Sequence, residues 1–370
     1  MNRYFFQAVG ILAGTAMGAG IFALPYVFSE VGVLIGILFL ALFALVYFGV
    51  HLMYAKVLQK SGGGHHFLYL AEQYLPRSIA RLGSFLIIAG LLFALLIYLA
   101  LAPSFARLLF GIEGIGVVFI FWIIGSIFIF LGLSKQSWAG FLGVVAMAGI
   151  VIVVLSASFG KEFSFSLVKD VDLFMVFLPF GPILFSLSAR SAVPQVVSLY
   201  REARKRRRGF SLPFAIFTGT VFPAVVYVFF VFAILRLSPQ VSPQALDGFY
   251  LSPLLMKFLG ALGLVAIWTS HFVIGRNVRD ILKTDLHVSR MVAGAVPLCF
   301  PLVFYLLGFT DFLTLVSLAG GIFLALEGVF VVTMWGRVFS DSRWYWVRAP
   351  IYAVFLLAFG YEVISYVSGI

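Results

Sequence analysis

Residues 14–25 read Gly14-Thr15-Ala16-Met17-Gly18-Ala19-Gly20-Ile21-Phe22-Ala23-Leu24-Pro25 and lie inside the first apolar segment of the chain. In lipid a helix must satisfy its own backbone hydrogen bonds, because the hydrocarbon holds no water. Three glycines within seven residues, followed by a proline, weaken a helix at bilayer depth. Freed backbone at that depth is tolerated where it faces protein or a wet cavity. A membrane helix interrupted in this way is the usual binding device of secondary transporters.

The composition agrees with a membrane setting. Of 370 residues, 63% are hydrophobic and 11% charged, against about 25% charged in ordinary soluble domains. A span needs about 20 apolar residues. Eleven segments meet that need, near 4–29, 31–55, 82–107, 115–133, 138–159, 173–199, 211–235, 254–275, 291–309, 312–335 and 349–368. They use up nearly the whole sequence, so 1–370 is read as a single integral membrane domain. The N-terminal apolar stretch is span-length and carries the glycine motif, so it is read as a span and not as a cleaved signal peptide.

The net charge of +11 reflects topology. With Met1 inside and alternating spans, the cytoplasmic side receives 19 of the 25 Lys and Arg, including the run Arg204–Arg208, and the outer side receives five. This positive-inside bias places the N-terminus in the cytoplasm and the C-terminus outside. The partner of these basic residues is thus the anionic bilayer surface, nucleic acid is not expected, and a cell (cytoplasmic) membrane is the expected location. The lone Cys299 excludes an intramolecular disulfide and a cysteine metal cluster. Gly62–Gly64 lack the Gly-Lys-Ser/Thr ending of a phosphate loop, and the adjacent His65 and His66 lack metal-ligand spacing. The proline-bearing outer segment 237–253 reads equally as a lid or as a connector.

A second interrupted segment lies five spans after the first: Leu178-Pro179-Phe180-Gly181-Pro182-Ile183-Leu184-Phe185-Ser186-Leu187-Ser188-Ala189-Arg190-Ser191-Ala192-Val193-Pro194. Paired interrupted spans in two halves point to a transporter site. Five spans per half is odd, so the halves must be inverted. The expected fold is an all-α membrane bundle of 5+5 inverted helices, with repeats near 4–159 and 173–335 and an extra helix at 349–368. Half-helix N-termini attract carboxylates, and half-helix C-termini offer carbonyls to ammonium groups or cations. Two such breaks side by side suit a zwitterion, the small amino acid being the expected partner. Thr15, Met17, Gly18, Ala19, Gly20 and Ile21 are the candidate contacts from the first break, and Ser186, Ser188, Ala189, Arg190 and Ser191 from the second. Tyr98 in the third span is a further contact. Close helix packing accounts equally for Gly14 and Gly18.

Two ionisable residues lie deep in spans, Arg190 and Glu327. Intramembrane charges are functional candidates by default. Glu327 is read as a proton-coupling residue or as a gate partner of Arg190, with a static ion pair as the plain structural alternative. Thr269 and Ser270 could complete an oxygen cage for sodium with carbonyls near Gly14 and Met17. His271 reads as a packed histidine. No cofactor is expected beyond H+ or Na+ as coupling ion. Catalytic residues are not expected: the spans hold no metal cluster, Ser–Lys or Ser–His pair, or paired aspartates. Two broken helices also argue against a channel.

Together these residues resemble the amino acid/auxin permease family and the related bacterial aromatic amino acid permeases, within the amino acid–polyamine–organocation superfamily. The resemblance rests on Gly14–Pro25, on the loop Gly63–Tyr74, on Ser186–Pro194, and on Thr269-Ser270 with Asp280 beyond. It implies a leucine-transporter-type fold, a monomer, and cation-coupled symport of neutral, including aromatic, amino acids by alternating access. An amino-acid exchanger, or an ion or metal transporter on the same fold, is the alternative. Where relatives commonly have histidine in the sixth span, this chain has Arg190. Arginine does not titrate near neutral pH, so a proton role at that position does not carry over.

Overall fold

The computed structural model describes residues 2–62, 67–131, 136–162, 165–238, 240–246, 251–339 and 345–368. Among these residues the protein is helical: α1 (Arg3–Ala16), α2 (Leu24–Val31), α3 (Val33–Lys60), α4 (Phe67–Tyr74), α5 (Arg77–Phe110), α6 (Ile115–Leu131), α7 (Gln136–Ser158), α8 (Phe180–Leu187), α9 (Val193–Lys205), α10 (Leu212–Leu237), α11 (Pro253–Thr284), α12 (Arg290–Leu306), α13 (Phe312–Leu318), α14 (Ala325–Val338) and α15 (Tyr345–Ser368). The loop containing His65 and His66 lies outside the described residues, as do Pro239 and 247–250 of the segment read as a lid or connector.

Eight helices in the described residues are long and apolar enough to cross a membrane. A ninth span results if the pair Arg3–Ala16 and Ala19–Val31, bent by 54°, is counted as one. The segments expected near 115–133 and 291–309 form shorter apolar helices, Ile115–Phe130 and Arg290–Leu306. The outward faces are apolar: Ile120, Ile123 and Ile127 of α6 and Leu38 and Leu45 of α3 are exposed. Such faces are unstable in water and suited to lipid.

Local chemistry sets where the helices start. Ser211, Ser252, Ser289 and Asp311 cap α10, α11, α12 and α13, each accepting from the N–H three residues on. Asn2 caps α1 and also donates from Nδ2 to the carbonyls of Arg208 and Gly209 at 3.0 Å, tying the chain start to the turn after α9. Inside the bundle α11 runs along α5 and α7, and α1 along α10.

One irregularity was not expected from sequence. Between α13 and α14, residues Ala319–Leu324 form a π-helical turn, packed against α8. The cause is close backbone approach. A Cβ built on Gly320 would sit 1.8 Å from the Gly181 carbonyl oxygen. Only glycine lets the two backbones meet there, and the extra residue of the π-turn accommodates the contact.

Candidate functional site

The first break forms where the glycines predict it. α1 ends at Ala16, Gly18 is extended (φ −129°, ψ −156°), and Ala19–Phe22 make a 3-10 turn before α2, which carries Pro25 in its first turn. The second break follows the same plan. α8 ends at Leu187, Ser188 is extended, Arg190–Ala192 make a 3-10 turn, and Pro194 sits in the first turn of α9. Proline suits a first turn because its missing N–H would have no partner there.

The two breaks touch. A Cβ on Gly20 would lie 2.5 Å from Ser186 Oγ and 2.7 Å from Ser186 Cα. Two buried tyrosines serve the carbonyls that the breaks release. The Tyr227 hydroxyl of α10 lies 2.8 Å from the Ala16 carbonyl oxygen and 2.9 Å from that of Ser186. It has one proton, so it donates to one carbonyl at a time and bridges the two broken helices. Tyr47 of α3 donates to the Leu184 carbonyl at 2.8 Å. Tyr227→Phe is therefore expected to leave two buried carbonyls without this donor, at a cost of about 1–3 kcal/mol, and to slow uptake. Thermal unfolding in detergent beside initial uptake rates checks this; wild-type values in both would remove the bridge from the site.

Of the other candidate contacts from the first break, Ala19, Ile21 and Met17 are buried. Tyr98 of α5 is also buried and faces Gly18, its hydroxyl 3.8 Å from where a Gly18 Cβ would lie. Thr15 is exposed, and its hydroxyl donates to the Ile11 carbonyl of its own helix at 2.8 Å. From the second break, Ser186 and Ala189 are buried, Ser188 is half-buried and Ser191 is exposed. The Ser186 hydroxyl donates to the Pro182 carbonyl at 2.7 Å.

Of the residues considered for sodium, Met17 and Thr269 are buried and Ser270 is half-buried. Thr269 Oγ lies 2.8 Å from the Val265 carbonyl and 3.0 Å from that of Ala266, in its own helix, and faces Gly143 of α7. Gly14 packs on Val144 of α7. His271 is fully buried beside Tyr98 and Phe121.

Arg190 and Glu327 meet. Arg190 Nε donates to Glu327 Oε1 of α14, and each side chain is 10% exposed. The guanidinium carbon also lies 4.8 Å from the Phe67 ring centroid of α4 and 6.0 Å from that of Tyr54 of α3, within reach of cation–π attraction. A cavity of about 50 Å³ opens beside this group, lined by Tyr54, Phe67, Ile87, Arg190, Ser191 and Asn277 among others. The arrangement links the second break to α14 and to the short helix α4, next to a hollow of mixed polar and apolar lining.

Several buried polar residues were not singled out from the sequence, Tyr47, His51 and Glu362 among them. Tyr47 and His51 lie on α3 with Tyr54, at positions that share one helical face. Glu362 of α15 is 6% exposed and presses on the π-turn, with Oε2 2.9 Å from where a Gly321 Cβ would be. Its signal was visible: it is an acidic residue inside the final apolar run.

Comparison with known proteins places this geometry. The chain matches the family model described as amino acid permease over residues 4–276. Among solved structures it is similar to MhsT in complex with L-phenylalanine, with a TM-score of 0.61 at 15% identity, covering 100% of this chain and 99% of that one. It is also similar to Mhp1, a nucleobase-cation-symport-1 family transporter in a closed conformation with bromovinylhydantoin bound, with a TM-score of 0.57 at 14% identity, covering 96% and 90%. No curated protein sequence matches at a significant level. The fold is the leucine-transporter type, and the protein is an integral membrane transporter, not an enzyme. By the span of the family match, which takes in both broken helices, the chain belongs to the amino acid permease family.

Proposed function

We propose that this permease is a cation-coupled symporter of neutral amino acids, aromatic ones included, working by alternating access. The observation that carries the reading is the contact of the two breaks at Gly20 and Ser186, bridged by Tyr227. The first N–H groups of the turn at Ala19 supply a carboxylate-binding pole, and the chain end at Leu187 supplies a carbonyl for an ammonium group. L-Phenylalanine in MhsT supports an amino acid of that class. In this reading the helices make eleven spans in a 5+5 inverted repeat with one extra helix, in a single domain and a monomer. The N-terminus is cytoplasmic, the C-terminus lies outside, and the protein sits in the cell's inner membrane.

Arg190 and Glu327 act as gate partners in this reading. The pair fastens the turn after the second break to α14, and its opening frees Arg190 toward the adjacent cavity. The test is uptake in proteoliposomes of a panel of labelled amino acids under separate proton and sodium gradients. Accumulation of one or more neutral amino acids under one of the gradients is the expected result. No stimulation by any amino acid would overturn the proposal.

A further inference from the structure

We infer that His51 carries the coupling proton, taking it up at Nε2 beside the Arg190–Glu327 pair. The inference rests on the symport reading and names its coupling ion and residue.

Tyr47, His51 and Tyr54 stand at i, i+4 and i+7 on α3, so they form one stripe along the broken sixth span. The upper end of the stripe is fixed by the Tyr47 bond to Leu184, before the break. The lower end is fixed by Tyr54 against the Arg190 guanidinium, after the break. His51 lies between them and is fully buried. Its Nδ1 is 3.1 Å from Thr220 Oγ of α10. Its Nε2 has no hydrogen-bond partner among the described residues. One turn further on, Tyr54 lies beside Arg190 at the edge of the cavity.

An orphaned buried nitrogen costs free energy, and in a native structure it calls for an account. A threonine hydroxyl both donates and accepts. When Nδ1–H donates to Thr220, Nε2 is left with a bare lone pair. That lone pair is the acceptor for a proton. Arg190 cannot serve, because guanidinium keeps its proton. Glu327 is committed as the counter-charge of Arg190.

The charged surroundings make the proton consequential. The elements against α3 include α2, α8, α9, α10 and α14, with α4 through Phe67 and α15 through Ile351 and Phe355. The buried acid of α15, Glu362, sits at the π-turn beside Gly321. α8 carries no ionisable group, and α10 offers the phenol of Tyr227 to this region. α14 brings Glu327, and Arg337 at its far end donates to the Tyr74 carbonyl. The turn before α9 brings Arg190, and Arg201 of α9 donates to the carbonyls of Leu58 and Gln59 at 3.1 Å. On α2, Glu30 pairs with Lys169. An imidazolium at 51 therefore sets a second positive charge against Arg190, which Glu327 holds. The gate pair loosens when His51 gains a proton and tightens when it loses one. The proton enters from water on one side of the membrane and leaves to water on the other, and no bond in the substrate changes.

The experiment uses the full chain in proteoliposomes, with labelled L-leucine and L-phenylalanine as probes. Counterflow, which needs no ion gradient, is read beside accumulation driven by a pH gradient. His51→Gln is expected to keep counterflow at a reduced rate and to lose pH-driven accumulation. Thr220→Val, which removes the partner that fixes the ring, is expected to shift the pH midpoint of uptake. Accumulation by His51→Gln equal to wild type overturns the inference. If that variant also loses counterflow, Thr220→Val decides: an unmoved midpoint overturns it. Wild-type accumulation that follows sodium and ignores the pH gradient overturns it too, while leaving the symport reading standing. Absence of wild-type counterflow with every amino acid sinks the symport reading first, and the inference with it.

Discussion

Glu327→Ala is expected to abolish uptake and to destabilise the protein by about 3–5 kcal/mol, the usual cost of stripping one partner from a buried ion pair. The reason lies in what remains. Arg190 keeps its charge at any accessible pH, and its side chain is 10% exposed. Without the carboxylate it keeps Phe67 and Tyr54 as neighbours, and cation–π attraction of about 0.5–2 kcal/mol does not offset that loss. The double variant Arg190→Met with Glu327→Leu separates stability from function. Replacing both charges with apolar groups of similar size is often neutral or stabilising by about 1–4 kcal/mol. The double variant is therefore expected to unfold near the wild-type temperature yet still fail to transport. Thermal unfolding in detergent and uptake in proteoliposomes check both halves. If the Glu327→Ala protein is as stable as the double variant, Arg190 is not held in the way the geometry says.

The pair also shows how far a sequence reaches. Arg190 and Glu327 stood out singly, because charge inside an apolar run is costly wherever it points. Their pairing followed from two positions in different spans and was one option among several. The breaks were legible for a different reason: glycine and proline act locally, so Gly18–Gly20 and Pro194 mark chain conformation without knowledge of neighbours. Tyr47 and Tyr227 were not legible. A mid-span tyrosine looks the same in sequence whether it packs on lipid or donates to a broken helix; only the location of the Leu184, Ala16 and Ser186 carbonyls distinguishes the two. His51 was hidden likewise, since its meaning depends on Thr220 and Arg190, each far away along the chain. The π-turn at Ala319–Leu324 has a local mark in Gly320-Gly321, but its cause is the Gly181 backbone across the interface. Thr15 shows the converse: it fits the motif, yet its hydroxyl is spent on its own helix.

The same contacts predict that three glycine-to-alanine changes, chemically identical, will have unlike outcomes. Gly320→Ala places Cβ 1.8 Å from the Gly181 carbonyl oxygen and 2.7 Å from its carbon. Both are backbone atoms, so a whole helix must move, and the cost exceeds the usual overpacking range of about 1–3 kcal/mol. This variant is expected not to accumulate as folded protein. Gly20→Ala meets Ser186 Oγ at 2.5 Å and Ser186 Cα at 2.7 Å. It separates the two breaks, so uptake is expected to vanish along with much of the stability. Adding Ser186→Gly removes the hydroxyl but leaves Cα in place, so rescue should be partial. Gly18→Ala meets nothing nearer than the Tyr98 hydroxyl at 3.8 Å, and its φ of −129° is open to any residue. Its folded yield and thermal stability are expected to match wild type. Any loss of uptake in Gly18→Ala then reports on access to the backbone beside Tyr98 and not on the fold. Equal effects at Gly18 and Gly20 would mean that the glycines serve helix flexibility in general, and that close contact between the breaks is not what the motif provides.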